Sequence, residues 1–200
     1  RFQLTGHSGD IDEAIDSCAA ASSASKLGDP SRGRRLSTLG TALRARYDHT
    51  QSRDDLTNSI AAHQRALDES TDHDPRSGMY WAGLGASQHS GYEHTGDLGL
   101  LDAAIVACRN AVVATPDDHP ELPTRLSNLA AVLTSRVLTG VNGPASDGTD
   151  LGEARGAHRR SLSLTPPDHP SRCMRLINLA INQNSSFTLT GDLAAGSEAT

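Results

Sequence analysis

Three columns of residues recur along this chain of 200 amino acids at one shared set of intervals. Leu39, Leu84, Leu129 and Leu179 are spaced by 45, 45 and 50 residues, and Phe2, Tyr47, Tyr92, Val137 and Phe187 by 45, 45, 45 and 50. Pro30, Pro75, Pro120 and Pro170 keep the same step. Columns that share both a period and an insertion mark a tandem repeat, and a period of about 20 to 50 residues belongs to solenoids and arrays. Such a chain builds its core between neighbouring units, so length does not count its domains.

Within each unit, apolar and small residues fall at helical spacing, and no segment calls for a strand. The expected fold is all-α. Helix pairs are predicted over about 33–50 and 55–70, 77–95 and 99–115, and 121–139 and 150–164, with a last helix over 171–189. One array is expected: a partial repeat at 1–32, repeats at 33–78 and 79–123, a repeat at 124–173 with a loop insertion at 141–149, and a partial repeat at 174–200. Residues 1–6, RFQLTG, match FTLTG at 187–191 and read as the last turn of a helix. Asp10 and Glu13 have capping-box spacing, which predicts a helix start at Asp10.

Small residues also form columns where backbones must come close. Gly40, Gly85, Ala130 and Ala180 lie on the first helices; Ala14, Ser59, Ala104 and Ala154, and Ala21, Ala66, Ala111 and Ser161, lie on the second. Larger side chains there would force helices beyond the ~8–10 Å spacing of packed pairs. The composition agrees, because with only 3% aromatic residues the core must come from Leu, Ile, Val and many alanines.

The net charge of −6 is spread along the chain without a basic run, which speaks against nucleic acid and anionic membrane surfaces as partners. No apolar run approaches the ~18–20 residues of a membrane span. Cys18, Cys108 and Cys173 are odd in number and lack Cys-x-x-Cys pairing, which argues against a disulfide framework or zinc knuckle and for a reducing, cytoplasmic setting.

Trp81, Leu84 and Gly85, followed by Ala104, Cys108, Ala111 and Pro116, resemble the W-x-x-L-G and A-x-x-x-F-x-x-A…P pattern of tetratricopeptide repeats. The unit is longer than that family's usual 34 residues and carries a DHP-type loop after the proline, as at Asp118, His119 and Pro120. Elongated units of this kind resemble fungal and actinobacterial arrays, often found beside caspase-like CHAT domains. The resemblance implies a right-handed superhelical solenoid of antiparallel helix hairpins. It also implies a non-catalytic scaffold that binds a peptide or partner protein in a concave groove, without a cofactor. The alternative it raises is a regulatory or substrate-recruiting arm of a CHAT-type protease whose catalytic domain lies outside these residues. Because both ends fall inside repeats, exposed apolar faces and end-to-end self-association are expected as well.

Cys18, His63, Cys108 and His158 share one column, but zinc needs ligand atoms at about 2.0–2.3 Å, far inside the spacing of successive helices. The same distance argues against a Cys–His dyad built from Cys108 with His63 or His158, so no catalytic or metal residue is assigned. Asp117, Asp118 and Glu121 form a short acidic loop without a dense oxygen cage. By the resemblance, Asn128 and Asn178, one residue before the leucine column, are groove asparagines that hold a peptide backbone through amide donors and acceptors. Thr38 and Gly83 occupy that position in earlier units. Arg125, Arg175, Arg44 and His89 are the accompanying groove candidates for charge selectivity.

Overall fold

The computed structural model of the chain describes residues 8–26, 28–29, 31–71, 74–139 and 149–190, with no account of the side chains of Ser8 and 184–190. The readings placed on residues 1–6, on Pro30, on the Phe187 side chain, on the insertion at 141–148 and on 191–200 lie outside these. Among the described residues every regular element is a helix. The elements are α1 (Ser8–Ser23), α2 (Arg32–Thr50), α3 (Arg53–Asp68), α4 (Ser77–Thr95), α5 (Leu98–Val113), α6 (Leu122–Leu138), α7 (Thr149–Ser163) and α8 (Arg172–Thr190). Two compact units divide at Ala114 and Thr115.

Local chemistry explains where the helices stop and start. Between α2 and α3 the chain reverses within two residues. Gln51 adopts the left-handed conformation at φ 58° while its backbone N–H closes on the Tyr47 carbonyl, and Ser52 then accepts from the Asp55 backbone N–H. Between α4 and α5, Gly96 takes the same left-handed place at φ 70° and Asp97 caps Gly99. Glycine reaches that conformation without the steric cost Gln51 bears. One expectation needs correction: Asp10 lies within the first turn of α1 (Ser8–Ser23) rather than at its start.

In the first unit α2 packs on α1, α3 and α4, and α4 packs on α3 and α5. Ile11, Ile15 and Leu43 form one buried cluster with Leu39, Ala42 and Ala45 against it; Leu36, Ala66 and Tyr80 form another. In the second unit α6 packs on α7 and α8, and α7 on α8. Leu122, Leu126, Leu129, Ala130, Val132 and Leu133 of α6 are buried together with Leu151, Ala154 and Ala157 of α7.

The small-residue columns are close-approach points in the middle of each unit. Ser59 donates to the Gly40 carbonyl at 2.7 Å and pairs with Ser87 at 2.8 Å, and Ser161 donates to the Pro123 carbonyl at 2.6 Å and pairs with Ser127 at 2.8 Å. A hydroxyl of this size bonds the facing backbone while helices stay in contact, which a larger side chain would prevent. Ala14, Ala21 and Ala180, by contrast, are exposed.

Candidate interaction surface

The polar side chains of each unit divide into those tied to the fold and those left facing outward, and this division decides which can meet a partner. The arginines anticipated for the groove are tied. Arg125 and Arg175 are 7% and 8% exposed, and each donates through a guanidinium N–H to a buried threonine hydroxyl, Thr115 and Thr165 respectively. Arg175 also reaches the Thr124 hydroxyl at 3.2 Å. Burial pulls the Arg125 pKa below its ordinary value, and Glu121 opposes the shift. The same latch joins Arg35 to Ser25 in the first unit, where Asp29 accepts a second bond at 3.0 Å. In the remaining copy Tyr80 takes the arginine's place, fully buried and with its hydroxyl near Gly33. Expected as groove candidates, Arg125 and Arg175 are thus held by bonds inside the packing of the second unit. They stand four residues before the buried Leu129 and the half-buried Leu179, on the same helical face.

A second set of arginines closes the turn from the second helix of one hairpin to the next. Arg32 donates to the Ser22 and Ser25 carbonyls at 3.1 and 2.6 Å, and Arg172 to those of Leu162 and Thr165 at 3.3 and 2.6 Å. A cation at a helix C-terminus satisfies carbonyls that have no partner within the helix.

A third set binds the two helices of a hairpin to each other. Arg46 holds Asp55 through two bonds of 2.8 and 2.6 Å, and Arg136 holds Asp150 at 2.6 and 2.5 Å. Both carboxylates are buried, at 5% and 2% exposure, so the bidentate geometry is what makes their burial tolerable. In the α4–α5 hairpin the equivalent positions are Gly91 and Leu100. A methyl group added at Gly91 would lie 2.8 Å from Leu100 and 2.9 Å from Leu56. The ion pair has been exchanged for an aliphatic contact of similar reach, with the arginine reduced to glycine to admit it.

The remaining candidates fare differently. Arg44 lies half-buried and pairs with Asp48 at 2.8 Å, while Ser90 donates to the other oxygen of the same carboxylate. That neutralises the charge Arg44 was expected to display. His89 stacks on Tyr92 at 6.1 Å and lies 3.9 Å from Glu93; burial lowers its pKa and Glu93 opposes the change. Asn128 is exposed and Asn178 half-buried, and no hydrogen bond among the described residues engages either side chain. Thr38, in the same column, spends its hydroxyl on the Arg34 carbonyl at 2.9 Å.

Gly83 occupies the fourth place in that column because the imidazole of His63 fills the space. A methyl group built at Gly83 would sit 2.2 Å from the ring, and one at Gly40 would sit 2.7 Å from it. His63 is fully buried, with Nδ1 3.3 Å from the Ser37 hydroxyl and Nε2 without a partner. Burial pushes its pKa down to about 4, with a smaller push from Arg44. Cys108 is buried against Gly85, and burial pushes its thiol up to about 12. His158 is likewise buried with a lowered pKa and an unpartnered Nδ1. Among the described residues no group of three or more His, Cys, Asp or Glu side chains is placed to hold a metal ion, and no helix is long and apolar enough to cross a membrane.

One contact was not anticipated from the sequence. Asn182 of α8 is fully buried and donates to the Thr134 hydroxyl of α6 at 3.1 Å. Its position matches Val132 of α6, and the exchange of valine for asparagine in one repeat column was the signal available. Two open hollows, of about 700 and 570 Å³, lie at the ends of second helices, by Ser25 and Arg35 and by Thr165 and Arg172. Neither includes the asparagines. No protein-family model matches the chain, and no curated protein is similar to it.

Proposed function

We propose that the chain is a tetratricopeptide-like array, a right-handed superhelix of antiparallel hairpins, that serves as a non-catalytic scaffold for an extended peptide or partner protein. The observation that carries this reading is the contrast on α6 and α8. Arg125, Thr134, Arg175 and Asn182 are committed to internal bonds, whereas Asn128 and Asn178 share one register and have their amides free of bonds among the described residues. An amide offers a donor and an acceptor, so such a pair can satisfy an extended backbone without reading its side chains.

Catalysis by the cysteine–histidine column is disfavoured by electrostatics. A thiol pushed up to about 12 supplies no thiolate at neutral pH, and an imidazole pushed down to about 4 is a poor base there. A cytoplasmic setting is in keeping with three free cysteines.

The test is a peptide-array screen with the wild-type chain and with Asn128→Ala combined with Asn178→Ala. Loss of the hits with helical circular dichroism unchanged is the expected result. Equal retention of the hits by both proteins removes the asparagines, and the surface they define, from the account.

A further inference from the structure

Glycine serves two different ends in these helices. At Gly40, Gly83, Gly85 and Gly91 an added methyl group would come within 3.0 Å of a side chain from a neighbouring helix, so close packing accounts for the residue. Gly152 and Gly156, one turn apart on α7, are different. Both are exposed, and a methyl group added at either would meet nothing within 4 Å. No contact compensates there for the backbone freedom that a glycine loses inside a helix.

The packed side of α7 is thin as well. Ile15, Ile60 and Ile105 share one column, and Ile15 and Ile105 are buried, but the column continues in α7 as the half-buried Arg155. His158, one turn on, is buried with its Nδ1 unpartnered, which costs the desolvation of that atom. Polar bonds hold the helix near its two ends. Arg136 grips Asp150 in the first turn, and Ser161 in the last turn donates to the Pro123 carbonyl. Between those ends the buried residues are Leu151, Ala154, Ala157 and His158, of which only leucine brings a large aliphatic side chain. In the first unit α3 has Thr57 and Ala61, and α5 has Asp102 and Val106, where α7 has its two glycines.

We infer that α7 is a strap that opens by local unfolding while the rest of the chain stays folded. Segments that move in this way come from the low-stability end of a fold, where helix propensity and buried apolar contact are both poor. α7 combines the two. Its opening breaks the Arg136–Asp150 and Ser161–Pro123 bonds together and uncovers aliphatic residues of α6, on which it packs.

The experiment is hydrogen–deuterium exchange of the whole chain, read by mass spectrometry, with the wild type and with Gly152→Ala combined with Gly156→Ala. In the wild type the amides of α7 are expected to exchange faster than those of α3, α5 and α6. Alanine favours a helix interior over glycine by about fourfold to fivefold per residue, so the double variant is expected to slow the α7 amides by about 15-fold or more. Exchange in α3 and α5 is expected to stay as it was. Arg155→Ile, which restores the aliphatic column, is expected to slow α7 in the same selective way. The inference is overturned if α7 exchanges no faster than α6, or if the double variant leaves α7 unchanged. It is overturned equally if that variant slows every helix alike, because α7 then opens only with the whole chain, or if it speeds exchange, because the glycines then serve packing.

Discussion

Gly83→Ala isolates the tightest contact in the first unit. The added methyl group would meet the His63 ring at 2.2, 2.5 and 2.8 Å, all well inside van der Waals contact. The ring has no room to retreat, because Gly40 already borders its other side at a distance that would put a methyl 2.7 Å away. Overpacking typically costs about 1–3 kcal/mol, and a ring held from both sides places this variant near the top, at about 3 kcal/mol. At about 2–4 °C per kcal/mol for a chain of this size, the melting temperature should fall by roughly 6–12 °C. Loss of volume elsewhere could lower it too, so the decisive comparison is a double-mutant cycle with His63→Ala. That variant alone is destabilised by its cavity, but in the double variant the new methyl occupies part of the vacated space. A favourable coupling of about 1–3 kcal/mol is therefore expected, measured by urea unfolding. A Gly83→Ala protein that melts with the wild type, or strictly additive single changes, would refute the account of why this position is glycine.

Other consequences can be checked with the same methods. The buried His63 has its pKa lowered from 6.5 to about 4, so the unfolded chain takes up a proton in that window which the folded chain refuses. Stability is full above pH 6.5 and falls as pH drops towards 4, by on the order of 3 kcal/mol from this group. Urea unfolding of His63→Ala should show a visibly shallower acid slope, with the remainder coming in the same direction from His158 and His89. Asp150→Ala leaves Arg136 without its bidentate partner and should cost about 3–5 kcal/mol, whereas Arg136→Gly with Asp150→Leu, which copies Gly91 and Leu100, should recover most of that loss in a thermal melt. Under native conditions iodoacetamide should label the exposed Cys173 first and the half-buried Cys18 more slowly, and mass spectrometry should find Cys108 unmodified until the chain unfolds.

Periodicity made the helices legible but not the direction of every side chain. Helix ends from Arg32 to Val113 fell within two residues of their expected places, because Ser52, Asp97 and Gly96 punctuate the chain by backbone chemistry that the sequence displays directly. Asp10 and Glu13 have capping-box spacing, but an acidic residue is favoured inside a first turn as well as at its cap, so that spacing does not by itself fix the start of α1. The burial of Arg125 and Arg175 is hidden from the sequence for a different reason. A charged residue reads as solvated unless its partner is visible, and Thr115 and Thr165 lie ten residues upstream, in the connections that follow α5 and α7. The column held the clue nonetheless: Arg35, Tyr80, Arg125 and Arg175 share one position, and an aromatic residue in that set marks it as interior.

That substitution pattern also explains how a core poor in aromatic residues specifies a register. Columns of alanine, glycine and serine let helices approach closely, yet a helix surface of small residues can slide by one turn with little change in buried area. The buried polar pairs remove that freedom. A guanidinium that meets Thr115 or Asp150 in the correct register would, one turn away, be left in an apolar setting, where an unpaired charge costs several kcal/mol. Their contribution is thus less to the depth of the native state than to the penalty on its neighbours. This is why the α4–α5 hairpin can replace arginine and aspartate with Gly91 and Leu100: a glycine notch filled by one leucine, closed against Leu56, penalises a slip by steric means instead. The two devices are interchangeable within a repeat only as complete pairs. A lone Arg136→Gly, without its leucine, should therefore loosen the α6–α7 register, read as faster amide exchange in both helices, and unchanged exchange would show that the small-residue packing suffices by itself.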